Sequence, residues 1–578
     1  MHNTVDTNQT ELLVSLSSRP ATLLDCARHL AENMPDRTAL TLITPDDNRT
    51  ITYRQFFEQA ARYAHALEKA GVEPHDLVVL VLQHGEDVLF AFWGAMLLGA
   101  IPSIFPFLTP KLDPDRYYDS VRKLVELSAV KAVITYGEMQ PTLEQHLANI
   151  PTLGAILNVN DLEPGGQLVS YLDRAPSRPE DTAFLQHSSG STGLQKGVML
   201  SHGAVLNQVA AYSQSIQLVP DDVVVSWLPL YHDMGLIAGF IMPVVQGIHL
   251  VLMSPFHWVR DPKVLLQAID EYDGTLCWLP NFAYNFLATR IRKSALDGLN
   301  LSSLRALINC SEPVRADSHH TFTERFAPFG FRTAALQTCY AMAENTFAVT
   351  QSDIGTEPNI DIIDRNTIME QRVAQPSDAA NGPTVAMVSC GRPIPNTEIR
   401  VVDPERTDLP ERHVGEIALR GDCMLSGYYH REDATAEAMQ DDWYFTGDLG
   451  YIADGELYIT GRKKDLIIVG GKNIYPQDIE NIINDIPGVH AGRTVAFGVL
   501  NEQLGTEDIA VVAEVDTEDT DERARITKEI RARIAQSTDT MAHYVHLVGP
   551  KWLLKTSSGK VARAANRQKF LDEVLERN

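Results

Sequence analysis

The run HSSGSTGLQKG gathers Ser188, Ser189, Gly190, Ser191, Thr192 and Gly193 ahead of Lys196. Residues this small let backbone N–H groups and hydroxyls close on phosphate oxygens, and the lysine adds a point charge that can follow them. A Walker loop needs Gly-Lys-Ser/Thr opening a helix. Here Lys196 is followed by Gly197 and the strand-like Val-Met-Leu, so any phosphate cradle is of another kind. Taken alone, the run equally suits a flexible Gly/Ser turn.

Single residues further along have chemistry of their own. Glu344, in CYAMAENT, offers the hard oxygen that Mg²⁺ prefers when it bridges phosphates, although a solvated helix-start carboxylate fits the same pattern. Asp448, in FTGDLG, is a short carboxylate in a glycine turn, able to accept from two hydroxyls or merely to shape the turn. His232, in LYHDMGL, follows an apolar run and a proline, and a lone histidine there is a substrate ligand or a structural one. Trp227 and Tyr231 beside it suit an apolar substrate pocket and aromatic core packing equally. Lys560, in KTSSGK, lies near the end of the chain, where a lysine is ordinarily a solvated charge. Arg462 to Lys464, in GRKKD, form a basic cluster that also reads as plain surface.

These residues need a scaffold. Between Ala21 and Gly137, helical periodicity (FFEQAARYAHALEKAG) alternates with short apolar runs (DLVVLVLQ, KAVITYG), the rhythm of strands covered by helices in an α/β fold. The pattern resumes from Phe184 to about Cys310 in VVVSWLPL, HLVLMSP, GTLCWLP and LRALINC, which predicts a second α/β layer. From Val388 to Thr460, short alternating strands (TEIRVVDPE, GEIALRG, GELYIT) predict a smaller β-rich subdomain. A compact tail follows, with the apolar strand DLIIVGG and the amphipathic DERARITKEIRARIAQ. A boundary near Gly461 to Lys464 would divide a large domain, 1–460, from a small α+β domain, 461–578. Residues 351–387 are polar and irregular, and periodicity assigns them no element.

At 578 residues the chain exceeds what one hydrophobic core usually organises. A formal net charge of -26 opposes a nucleic-acid backbone or an anionic bilayer, unless a local basic patch works against that field. The six cysteines show no CxxC or Cys/His ligand spacing, which argues for reduced thiols rather than disulfides or zinc. No apolar run approaches the length of a membrane span, and the N-terminus lacks a signal-peptide pattern, so a cytoplasmic location is expected.

Read in order, HSSGSTGLQKGVMLSH, SWLPLYHDMGL, NCSEP, TCYAMAENT, WYFTGDLG, GRKKDLIIVGGKNIYP and KTSSGK resemble the adenylate-forming superfamily. Its members include acyl-CoA synthetases, luciferases, nonribosomal-peptide adenylation domains and fatty acyl-AMP ligases. The resemblance implies condensation of a carboxylic acid with ATP to acyl-adenylate and pyrophosphate, then acyl transfer to a thiol. It implies nucleotide contacts from the 188–193 run and Lys196, from Ser311, Glu312 and Pro313 at adenine, from Cys339, Tyr340, Ala341 and Met342, and from Asp448 and Arg462, with Asp448 at the ribose. It further implies Mg²⁺ on Glu344, substrate orientation by His232, charge neutralisation by Lys560, and a hinge at Lys464 on which the C-terminal domain moves.

Within the superfamily, NCSEPVR, LQHSSGSTG, the ending of NIYPQDIE, Ala343 and the long 351–389 segment resemble fatty acyl-AMP ligases, in which 351–389 would be an insertion. Those enzymes pass the acyl group to an acyl carrier protein, whereas acyl-CoA synthetases use free CoA. The chain departs from the pattern at His187, Gln195, Ala341 and Ile474. A synthetase, and a catalytically silent nucleotide-binding or scaffold protein on the same fold, are the competing readings.

Overall fold

The computed structural model describes residues 11–109, 114–174, 177–187, 196–378, 382–469, 472–501, 506–538, 540–556 and 559–575. Two large sheets dominate. One has nine strands, centred on the parallel neighbours His249–Met253, Val223–Ser226, Leu276–Leu279, Ala306–Asn309 and Leu336–Ala341. The other has seven, with Leu77–Leu80, Ile101–Ile104 and Ala132–Thr135 parallel at its centre. Antiparallel strands occur toward the edges, Asn48–Thr52 in the first and Gly197–Ser201 with Gly427–Tyr428 in the second.

The helix Glu86–Leu98 shows why the sheets form layers. Every residue from Val88 to Leu98 is buried, and a helix apolar all round must be covered on all sides. It crosses the helix Tyr53–Lys69 at Gly94, where an added Cβ would lie 2.6 Å from the Ala60 carbonyl oxygen. Trp93, Phe56, Phe57 and Phe240 interlock around that crossing in edge-on and tilted contacts.

Strands Thr397–Val402, Gly415–Gly421, Trp443–Ala453, Met439–Gln440 and Glu456–Arg462 make a separate five-stranded sheet. Beyond Arg462 come the hairpin Ile467–Val469/Lys472–Ile474, the helices Pro476–Asn484 and Thr520–Thr538, and a three-stranded sheet.

The 351–387 stretch is not irregular. It holds the antiparallel strands Ile360–Asp364 and Thr384–Val388 with the helix Arg365–Gln371 between them. Its elements are too short for periodicity to reveal, and tertiary contacts sustain them. Arg412 and the Tyr451 hydroxyl both donate to Asp361, at 2.9 and 2.8 Å, tying it to the five-stranded sheet. On its other side Ile363, Ile368 and Met369 share an apolar cluster with Ile474, Tyr475 and Ile479. A cavity of about 110 Å³ remains between Arg365, Met369 and Asp478.

Candidate functional site

The site forms where strands of the nine-stranded sheet end, the usual ligand position in α/β folds. The strand Val223–Ser226 leads into Trp227, Tyr231 and His232, and then into the π-helical run Met234–Ile241. His232 Nδ1 lies 2.5 Å from Asp233 Oδ1. Burial pushes the Asp233 carboxyl up, but His232, the Met234 N–H and Lys560 together hold it below the usual carboxylate range. It stays an anion beside the imidazole.

From the far end of the chain, Lys560 Nζ donates to the Ser311 carbonyl at 2.6 Å. Ser311 has φ +70°, a left-handed conformation uncommon outside glycine, just past the strand Ala306–Asn309. The neighbouring Glu312 is otherwise engaged: its carboxylate accepts the Phe282 N–H at 3.0 Å, in the first turn of the helix Asn281–Arg290. Pro313 is exposed. What this loop turns toward Lys560 is therefore backbone, and behind it Asn309, Asn281 and His319 form a buried hydrogen-bonded chain.

The strand Leu336–Ala341 alternates. Cys339 is buried in the core, while the Tyr340 hydroxyl donates to Asp448 Oδ2 at 2.6 Å. Ala341 and Met342 carry the chain to Glu344, whose Oε1 accepts from the Tyr428 hydroxyl at 2.9 Å. Tyr444 reaches the same hydroxyl at 3.0 Å, and Lys196 Nζ sits 4.6 Å from the centre of the Tyr428 ring. Burial raises the Glu344 carboxyl above its ordinary range. The other residues of the small-residue run, Ser188 to Gly193, lie outside the described residues.

Asp448 is aimed by a bulge. Opposite Ile417, the strand Trp443–Ala453 carries extra residues, with Gly447 at φ +70°. Thr446 Oγ1 donates to the Ile417 carbonyl at 2.8 Å and accepts the Asp448 N–H at 3.0 Å. Arg462 Nε then meets Asp448 Oδ1 at 2.9 Å. That carboxylate raises the guanidinium's basicity against the opposing effect of burial.

Lys464 lies where the chain leaves the five-stranded sheet. Lys463 pairs back to Glu416 at 2.8 Å, whereas Asp465 pairs forward to Arg563 at 2.8 Å. Burial, then Arg462, lowers the Lys464 ammonium.

Trp227 stacks on Trp258, with ring centres 3.7 Å apart and planes 9° apart. Tyr231 is half-buried, its hydroxyl pushed up to about 12. Sequence reasoning missed Asp233, Tyr428 and Tyr444. The His-Asp pair was a readable signal for the first; nothing marked the tyrosines.

Residues 27–429 match the family model described as AMP-binding enzyme. The chain is 31% identical to the medium-chain-fatty-acid–[acyl-carrier-protein] ligase JamA of Moorena producens, over 96% of each chain. It is also 31% identical to the long-chain-fatty-acid–AMP ligase FadD26 of Mycobacterium marinum, over 95% of this chain and 97% of the relative. Among solved structures, one from work on fatty acyl-adenylate ligases of E. coli and L. pneumophila superposes with TM-score 0.88 at 28% identity, covering 97% of this chain and 99% of that one. A fatty acyl-adenylate ligase from L. pneumophila, in complex with acyl adenylate and pyrophosphate, gives 0.73 at 30% identity, over 95% and 96%. With a family model matched along most of its length and relatives matched nearly end to end, the chain belongs to the AMP-binding enzyme family and is an adenylate-forming ligase.

Proposed function

We propose that the chain is a fatty acyl-AMP ligase that passes its acyl group to the phosphopantetheine thiol of a carrier protein. The observation that carries the reading is Lys560 on the Ser311 carbonyl, its charge felt by Asp233 beside His232. A lysine brought there from the tail is placed to neutralise the anions of an acid and a nucleotide phosphate beside His232.

The acid's carboxylate oxygen attacks the α-phosphorus of ATP, and the bond to the bridging oxygen breaks to release pyrophosphate. Lys560 lowers the repulsion between the two anions, an effect that grows as charge gathers in the transition state. Asp233 faces Nδ1 of His232, which leaves Nε2 to orient the carboxylate. Asp448, itself positioned by Tyr340 and Arg462, takes the ribose hydroxyls, and Lys196 attends the phosphates.

Glu344 fits magnesium. It is a half-buried carboxylate with one oxygen engaged by Tyr428, and desolvation, together with the nearby Asp233, disfavours its charge, which a cation would relieve. Such an ion would be held mainly by substrate phosphates, with Glu344 as its protein ligand. When bound, Mg²⁺ would neutralise phosphate charge.

In the second step the thiol attacks the acyl carbonyl carbon and AMP leaves. Lys464 would be the hinge of a C-terminal domain, 461–578, that presents Lys560 for the first step and withdraws it for the second. The helix Arg365–Gln371, packed on that domain, restrains it and so disfavours free CoA. Mass spectrometry of the adenylate formed from a mixed acid pool, then acyl transfer to carrier protein or CoA, tests the reading. Failure to form any acyl-adenylate would overturn it, and efficient acyl-CoA formation would move it to the synthetase branch.

A further inference from the structure

The stacked indoles lead outward from the site. Trp258, on the helix Pro255–Arg260, packs edge-on or tilted against Phe282 and Phe286 of the helix Asn281–Arg290. Around it stand three large apolar side chains that water reaches: Phe256 at 41% exposure, Val259 at 48% and Phe282 at 44%. Phe256 and Val259 share one face of a single turn, and a water-soluble surface seldom gathers such residues without a partner.

The border of this patch is mainly basic, its nearest carboxylates, Asp261 and Glu312, being engaged by Lys263 and by the Phe282 N–H. Arg260, Arg290, Arg292 and Lys293 are exposed and make no ion pair within 4.0 Å among the described residues, although acidic residues outnumber basic ones by 75 to 49 in the chain. Arg290 lies over Phe286 at 5.8 Å, which fixes one of these charges beside the apolar face.

We propose that this patch rests on an anionic membrane surface, from which the enzyme takes its acid. The inference rests on the fatty-acid reading above. A long-chain acid dissolves poorly in water and resides in bilayers, so its activating enzyme gains from collecting it there. Exposed aromatics beside unpaired arginine and lysine are the composition of an interfacial anchor, the rings entering the headgroup region and the cations pairing with anionic lipid. The remaining surface, strongly negative, is repelled by the same lipid, so attachment through this patch also sets the orientation. Trp227, stacked on Trp258, carries the apolar contact inward toward Tyr231 and His232.

The test uses the full chain, flotation with phosphatidylcholine vesicles with or without phosphatidylglycerol, and a variant carrying Arg260→Glu, Arg290→Glu, Arg292→Glu and Lys293→Glu. The wild type should float with the anionic vesicles, detach in high salt, and ignore the neutral ones. Each cation removed should weaken binding about fivefold, so the variant should be left unbound. Adenylation of a short, water-soluble acid should be unchanged in the variant, which also shows that it is folded; adenylation of a long-chain acid delivered in anionic vesicles should fall. Phe256→Ser alone should weaken flotation without altering the net charge. Wild-type protein that ignores anionic vesicles overturns the proposal, as does a variant that floats equally well. Loss of carrier-protein acylation with flotation unchanged would instead make the patch a protein-docking site. If no acid is adenylated, the functional reading falls, while the flotation result still decides membrane attachment.

Discussion

Lys560 Nζ and the Ser311 carbonyl oxygen lie 2.6 Å apart, although 249 residues separate them in sequence. The bond ties a turn that precedes the helix Arg563–Phe570 to a loop ending a central strand. It occupies one of the three N–H donors of Lys560 and leaves two for phosphate and carboxylate oxygens.

Lys560→Ala should therefore abolish pyrophosphate release, by roughly a hundredfold or more, while ATP affinity falls only modestly. Calorimetry and a pyrophosphate assay separate the two quantities. Normal pyrophosphate release in the variant would end the assignment.

Asp448→Ala should weaken ATP binding by about 1.5–3 kcal/mol, since ribose contacts exist in ground and transition states alike. It would also strand the Tyr340 hydroxyl and Arg462, so a lower melting temperature is expected with it. Asp448→Asn keeps the shape and separates the effects: affinity should fall more than stability. Unaltered affinity by calorimetry would contradict a ribose contact.

Lys464→Pro should spare adenylation and slow thiol transfer, because proline restricts the backbone rotation a hinge must absorb. The flanking pairs, Lys463 to Glu416 and Asp465 to Arg563, confine that rotation to a very short segment. Equal losses in both half-reactions would make Lys464 a structural residue.

Loosening the contact of Met369 with the tail should raise acyl-CoA formation. Met369→Ala removes apolar packing worth about 2–5 kcal/mol in a well-filled site, less at this edge, beside a cavity. Shortening the 360–388 unit while keeping Cys390 and Gly391 in place should do the same more strongly. Adenylation intact with no gain in acyl-CoA would show that this unit does not select the thiol.

Acid should destabilise the protein as its buried histidines are forced to take a charge. Burial lowers His187, His202 and His319 to about 4. Their stability contribution is complete above about pH 6.5, the unfolded value, and is lost as pH falls toward 4; at pH 5 each costs up to about 2 kcal/mol. Thermal midpoints between pH 7.5 and 5 should fall accordingly, and less steeply in His319→Gln. A flat profile in the wild type would contradict the neutral, buried state of these rings.

Much of the scaffold was legible because its strands are continuous apolar runs and its helices amphipathic over several turns, as in DLVVLVLQ and FFEQAARYAHALEKAG. Glu344, Asp448 and His232 could be proposed from type and context. Their partners could not: Tyr428 meets Glu344 across 84 residues and Tyr340 meets Asp448 across 108, and no local pattern encodes such pairings. The 360–388 unit escaped because a five-residue strand and a seven-residue helix owe their stability to neighbours far away in sequence.

The indole pair Trp227 and Trp258 has an optical consequence. Two indoles stacked 3.7 Å apart in nearly parallel planes couple strongly, so the pair should give a near-ultraviolet dichroic signal unlike that of an isolated tryptophan. If Trp227 walls the acyl chain, loading substrate tilts one ring against the other and changes that coupling. The protein would then report acyl occupancy through its own absorption, without a label.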